Sequence, residues 1–265
     1  MVAECYTFPI REIRGAKRRA AQAARIDRAV EAARINRAIE AEQIDRAVEA
    51  LADTLDPTPV LESFGCLRMR LGWKLLAYLV DGRLGGESRV FAVPTDFEPV
   101  GAELASAAGP ASDADRPYSG SNLDCAVGLP LQARRRFMSA VEGDGSPWSY
   151  LCASLAVRQL LDYATYWHAF YKHDWFEHLI LAQWPPPASA LQEPAGDFEG
   201  EPPGLWRPAV WVGRRSTTVR MYTYRPATAN PEGIWMHEDR YEAGSYDPEL
   251  TRTLIAAGRP ATIMY

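Results

Sequence analysis

The feature that most constrains this chain is a tandem nine-residue repeat near its start. The units run Arg25-Ile-Asp-Arg-Ala-Val-Glu-Ala-Ala33, Arg34-Ile-Asn-Arg-Ala-Ile-Glu-Ala-Glu42 and Gln43-Ile-Asp-Arg-Ala-Val-Glu-Ala-Leu51. Nothing in them breaks a helix, so the spacing predicts one long, charged, alanine-rich helix from Arg14 to Leu55. At 100° per residue, nine residues turn a helix through two and a half revolutions, so each unit faces opposite to the one before it. Ile26, Val30, Ile44 and Val48 then share one face, while Ile35 and Ile39 point the other way. A helix with apolar residues on two sides needs two contacts, so these six residues are the expected interface with a protein partner or a second copy of the chain. The period fits neither the seven-residue nor the eleven-residue supercoil, which excludes a long regular coiled coil. Asp56-Pro-Thr-Pro59 is the expected stop.

Three strands are expected next, Cys66 to Leu71, Trp73 to Val80 and Ser88 to Val93, separated by glycines and forming a small antiparallel meander. A short helix is expected at Val100 to Ala108. The Gly/Ser/Asp/Pro-rich run from Gly109 to Asn122 then reads as an internal boundary, and Leu131 to Val141 as another short helix. A second long helix is expected from Pro147 to Trp184, with Ser146 as its N-cap and Pro185-Pro-Pro187 as its stop. This aromatic-rich segment is apolar around most of its circumference, as a helix at the centre of a core is. Its charged residues are too frequent for a bilayer span. Residues 185–204 form an acidic Pro/Gly-rich loop. After it come strands at Ala209 to Val212, Thr217 to Tyr224 and Ile234 to Tyr241, a short helix at Pro248 to Ala257, and a last strand at Ala261 to Met264. The expected fold class is therefore α+β: a long N-terminal helix, small antiparallel sheets and a long central helix. The expected division is an N-terminal helical arm (1–56), a β-meander region (57–108) and an α+β body (109–265).

Three groups of residues could carry function. The segment from Trp206 to Arg225 holds Arg207, Arg214, Arg215, Arg220 and Arg225 without an acidic residue, interleaved with Trp211, Tyr222 and Tyr224. Strand alternation puts Arg220, Tyr222 and Tyr224 on one face. Arginines hold phosphates and rings stack on bases, so Arg214, Arg215, Arg220, Tyr222 and Tyr224 are candidates for binding single-stranded RNA or DNA. The competing reading is a half-buried sheet whose arginines pair with nearby acidic loops. The net charge of −5 argues against non-specific nucleic-acid binding by the whole molecule and leaves a local patch open.

On the aromatic segment, His173 with Glu177 and Asp174 with His178 stand four apart, each giving half a metal site. Core-edge histidines bonded to carboxylates are the alternative. Cys125 precedes a helix and His237 follows far downstream; this order resembles that of papain-like hydrolases and implies a Cys/His hydrolase, against the alternative of a buried structural cysteine. The four cysteines, Cys5, Cys66, Cys125 and Cys152, form no C-x-x-C pair and read as reduced thiols of a cytoplasmic protein. No phosphate-binding loop, dinucleotide fingerprint or nucleophile elbow occurs, so no cofactor is expected. The expectation taken from the whole sequence is a non-enzymatic interaction subunit docking through its N-terminal helix, with single-stranded nucleic-acid binding as the second reading and hydrolysis as the third.

Overall fold

The computed structural model describes residues 3–24, 54–82, 85–98, 136–163, 166–167, 175, 178–183, 203–226 and 232–258. Strand β1 (Glu4–Thr7) is followed by helix α1, described over residues 10–24. Ile13, Ala16, Ala20 and Ala24 recur at helical spacing and are buried to 3% exposure or less. Small alanines let the α1 backbone approach the core closely, and its cations reach past them to main-chain oxygens. Arg14 donates to the Ile180 carbonyl at 2.8 Å, and Lys17 donates to that of Trp175 at 2.7 Å.

The nine-residue repeat, with Ile26, Val30, Ile35, Ile39, Ile44 and Val48, lies outside the described residues. The expected helix does not reach Leu55, because Thr54–Leu55 form strand β2, paired with Tyr78 and Ala77. The long N-terminal helix is thus corrected at its far end. The Asp56 carboxylate accepts from the Thr58 amide, and short helix α2 (Thr58–Glu62) starts there, its first turn taking Pro59 without loss of a hydrogen bond. The prolines open a helix here instead of closing one.

Strands β4 (Trp73–Gly82) and β5 (Gly85–Pro94) pair in full antiparallel register. The first strand of the expected meander, β3 (Leu67–Met69), pairs instead with β6 (Val141–Gly143), which follows a 3₁₀ turn at Phe137–Ala140.

The long central helix expected over 147–184 is corrected to α3, Pro147–Leu161. Its start is as expected: the Ser146 side chain accepts from the Ser149 amide at 3.1 Å, with Pro147 in the first turn. Every residue from Ser149 to Leu160 is buried. The helix ends at Asp162, and of the described aromatic residues after it Tyr163 and Trp175 join the core while Tyr166 and Trp167 lie in a strand. Tyr166–Trp167 (β7) pair with β5, and Leu179–Ile180 (β8) pair with β10 (Ser216–Arg225). An apolar segment without a single helical face can pair as strand where a partner is present, and β5 and β10 supply those partners.

The expectation of small sheets is also corrected. Among the described residues, six strands join in one antiparallel sheet, in the order β1, β9 (Ala209–Val212), β10, β11 (Gly233–Glu242) and β12 (Glu249–Ala257), with β8 continuing the β9 side of β10. The helix expected over Pro248 to Ala257 is therefore corrected to a strand from Glu249: Thr251, Thr253 and Ile255 are β-branched at alternate positions, and pairing with β11 overrides helical propensity. The fold is dominated by β-structure, with α3 across one face of this sheet. Val210, Val219, Met221 and Tyr241 of that inner face join the α3 side chains in one core. No helix among the described residues is long and apolar enough to cross a membrane.

Candidate functional site

The inner face of the sheet holds a buried polar chain. Arg158 of α3 meets Asp239 of β11 through two bonds, at 2.6 and 2.7 Å, and also donates to the Ser154 carbonyl at 2.8 Å. Both residues are buried, Asp239 completely. The Arg158 Nε donates to His237 Nδ1 at 3.3 Å. Because a guanidinium only donates, Nδ1 accepts; the His237 proton therefore sits on Nε2, which donates to Thr223 Oγ1 at 2.8 Å. On the far side, Arg252 lies 3.2 Å from His178 Nε2, which must likewise accept. His178 Nδ1 then donates to the same Thr223 oxygen at 2.6 Å.

Burial, reinforced by the charges of Arg158, Arg252 and Lys17, holds His237 well below the ordinary imidazole range, so it is neutral in the folded protein. The unfolded chain binds a proton at this residue near pH 6.5, where the folded protein does not. Stability therefore falls on acidification below that pH, by up to about 1.4 kcal/mol per pH unit from this residue. Urea unfolding between about pH 5 and 7 should show this slope, and His237→Gln should flatten it; an equal slope in both proteins would contradict the assignment.

Both arginine-facing nitrogens carry accepted hydrogen bonds, so His237 presents no free lone pair for proton abstraction. The network reads as a structural pin between α3 and the sheet. Cys125, the other half of the expected Cys/His pair, lies outside the described residues, as do His173, Asp174 and Glu177 of the expected metal pairs. His178 is held by Thr223 and Arg252, and no group of three metal-binding side chains occurs among the described residues.

The opposite, outer face carries the basic-aromatic segment. Residues directly across antiparallel strands share a face. Trp211, Thr218, Arg240 and Glu249 make one such row, and Ala209, Arg220, Glu238 and Thr251 the next. Tyr222 and Tyr224 follow along β10, as the alternation predicts. Tyr224 is 1% exposed, packed with Leu181 and Ile234 and donating to Glu232, which removes it as a stacking platform. Tyr222 belongs to the same buried cluster at 5% exposure, with Trp206 edge-on at 5.3 Å between ring centroids.

Beside it opens a cavity of about 300 Å³, lined by Pro203, Gly204, Leu205, Arg207, Trp211, Arg220 and Tyr222. This is the lower end of the range for ligand pockets. The Arg220 guanidinium lies 5.2 Å from the Trp211 ring centroid and donates to Glu238 at 2.8 Å. Arg220 is thus partly neutralised, as the competing reading expects of these arginines, although its partner lies on strand β11 and not in a loop. Arg214 and Arg215 are exposed in the turn between β9 and β10, and Arg240 is exposed two strands from Trp211. Among the described residues these three and Arg207 have no ion-pair partner. Sequence reasoning had Trp211 and Arg207 in the segment but did not single them out, because alternation assigns a face and not a cavity. Arg240 was missed because it belongs to a different strand. Searches against family models, curated proteins and solved structures give no match to this chain.

Proposed function

We propose that the outer face of the six-stranded sheet binds single-stranded nucleic acid, with one base held in the cavity between Trp211 and Tyr222. The observation that carries this reading is that cavity, lined by two aromatic side chains and by Arg207 and Arg220, with Arg240 in the Trp211 row of the sheet and Arg214 and Arg215 in the β9–β10 turn. Bases offer a flat ring to stack whatever their identity, and the guanidinium groups answer the phosphates that flank it. A duplex keeps its bases paired and stacked, so its rings do not reach a cavity of this size. Binding is local, because the chain as a whole is acidic and Glu238, Glu242 and Glu249 border the patch.

The alternative of docking through the N-terminal helix draws less support. The described part of α1 spends its apolar stripe, Ile13, Ala16, Ala20 and Ala24, on its own core.

Fluorescence-anisotropy titration of a labelled oligothymidylate at several salt concentrations tests the proposal. Four unpaired arginines meeting four phosphates give a slope of log K against log salt of about −3, taking roughly −0.7 per contact for a single strand. A mononucleotide should compete weakly, since it brings the base but few of the phosphates. Absent binding at low salt, or a slope near zero, would overturn the reading.

A further inference from the structure

Two cysteines that the sequence keeps 86 positions apart come together at the start of the central helix. The β3–β6 register pairs Leu67 with Gly143, which sets Cys66 alongside Asp144, two residues before the Ser146 cap of α3. Cys152 lies in the second turn of that helix. It is completely buried, and Cys66, half-buried, packs against the same core. The two sulfurs are within hydrogen-bonding reach, and both are free thiols.

We propose that Cys66 and Cys152 are an oxidisable dithiol, a modification site in which a small-molecule disulfide is exchanged for a protein disulfide that ties the α2–β3 connection to α3. The chemistry divides between the two residues. The Cys152 S–H donates to Cys66 and lowers the pKa of the Cys66 thiol, which makes Cys66 the attacking group. The same hydrogen bond and burial push Cys152 up, so it stays a thiol until Cys66 has reacted. In the first step the Cys66 thiolate attacks one sulfur of the small disulfide; a mixed disulfide forms, its S–S bond breaks, and one small thiol leaves with the proton Cys66 lost. In the second, Cys152 gives up its proton and attacks the Cys66 sulfur, releasing the second small thiol. Two protein thiols are oxidised and one small disulfide is reduced to two thiols.

Incubating the native full-length protein with oxidised glutathione, followed by non-reducing tryptic digestion and mass spectrometry, tests this directly. Cleavage after Arg46, Arg68, Arg136 and Arg158 places Cys66 in fragment 47–68 and Cys152 in fragment 137–158. The expected product is these two fragments linked, two hydrogens lighter than their sum, and it should disappear after reduction. Cys152→Ser, checked for folding by circular dichroism, should stop at a lasting glutathione adduct on Cys66. Modification confined to the exposed Cys5, a link through Cys125, or a lasting glutathione adduct on Cys66 in the wild type would each overturn the proposal.

Discussion

Asp239→Ala is expected to lower the free energy of unfolding by about 3 to 5 kcal/mol, the cost of leaving a buried guanidinium without its counter-charge. The magnitude follows from the surroundings. Asp239 has no exposed surface and binds Arg158 through both oxygens, and the arginine cannot withdraw to water from within α3. Domains of this size have only about 5 to 15 kcal/mol to lose, so the variant should unfold at much lower denaturant concentration with an unchanged denaturant slope. Replacing both partners, Arg158→Met with Asp239→Leu, should recover much of the loss, because an apolar pair carries no desolvation penalty. Recovery will be incomplete, since Arg158 also serves the Ser154 carbonyl and His237. A double variant as unstable as the single one would show that the pin acts through those other bonds.

Trp211→Ala is expected to have the largest effect on binding without a comparable effect on folding. The ring is half-buried at the cavity wall and outside the main core cluster, so its removal opens the cavity and leaves that core intact. A base stacked on an aromatic side chain contributes about 1 to 3 kcal/mol, so affinity for a single strand should fall roughly 5- to 150-fold. Part of that loss is indirect, because Trp211 also backs the Arg220 guanidinium. The variant should therefore lose affinity while keeping most of the salt dependence, which belongs to Arg207, Arg214, Arg215 and Arg240.

Three strands of the main sheet, β9, β10 and β11, were the most legible part of the fold. Thr217 to Tyr224 and Ile234 to Tyr241 fall within β10 and β11, and Ala209 to Val212 coincides with β9. Their alternation and flanking glycines are local signals that pairing reinforces. The Ser146-Pro147 start was legible for the same reason, because a cap acts within one turn.

The end of α3 was not. Tyr166, Trp167, Leu179 and Ile180 are as apolar as helix-core residues, and only their partners on β5 and β10 decide that they are strand edges. Residues 248–257 misled in the same way, since their pairing depends on β11. For the site, alternation placed Arg220 and Tyr222 on one face but could not show that Leu181 and Ile234 close over Tyr224, or that the 203–207 segment walls a cavity. The Arg158–Asp239 pair joins residues 81 positions apart, and no periodicity reports such a contact.

The most direct test of the outer-face assignment is a paired titration of wild type and Trp211→Ala with one oligothymidylate at low salt, both proteins first shown to be folded by circular dichroism. The account predicts saturable binding by the wild type and a roughly 5- to 150-fold weaker affinity for the variant. Equal affinities for the two proteins, or no binding by either, would contradict it.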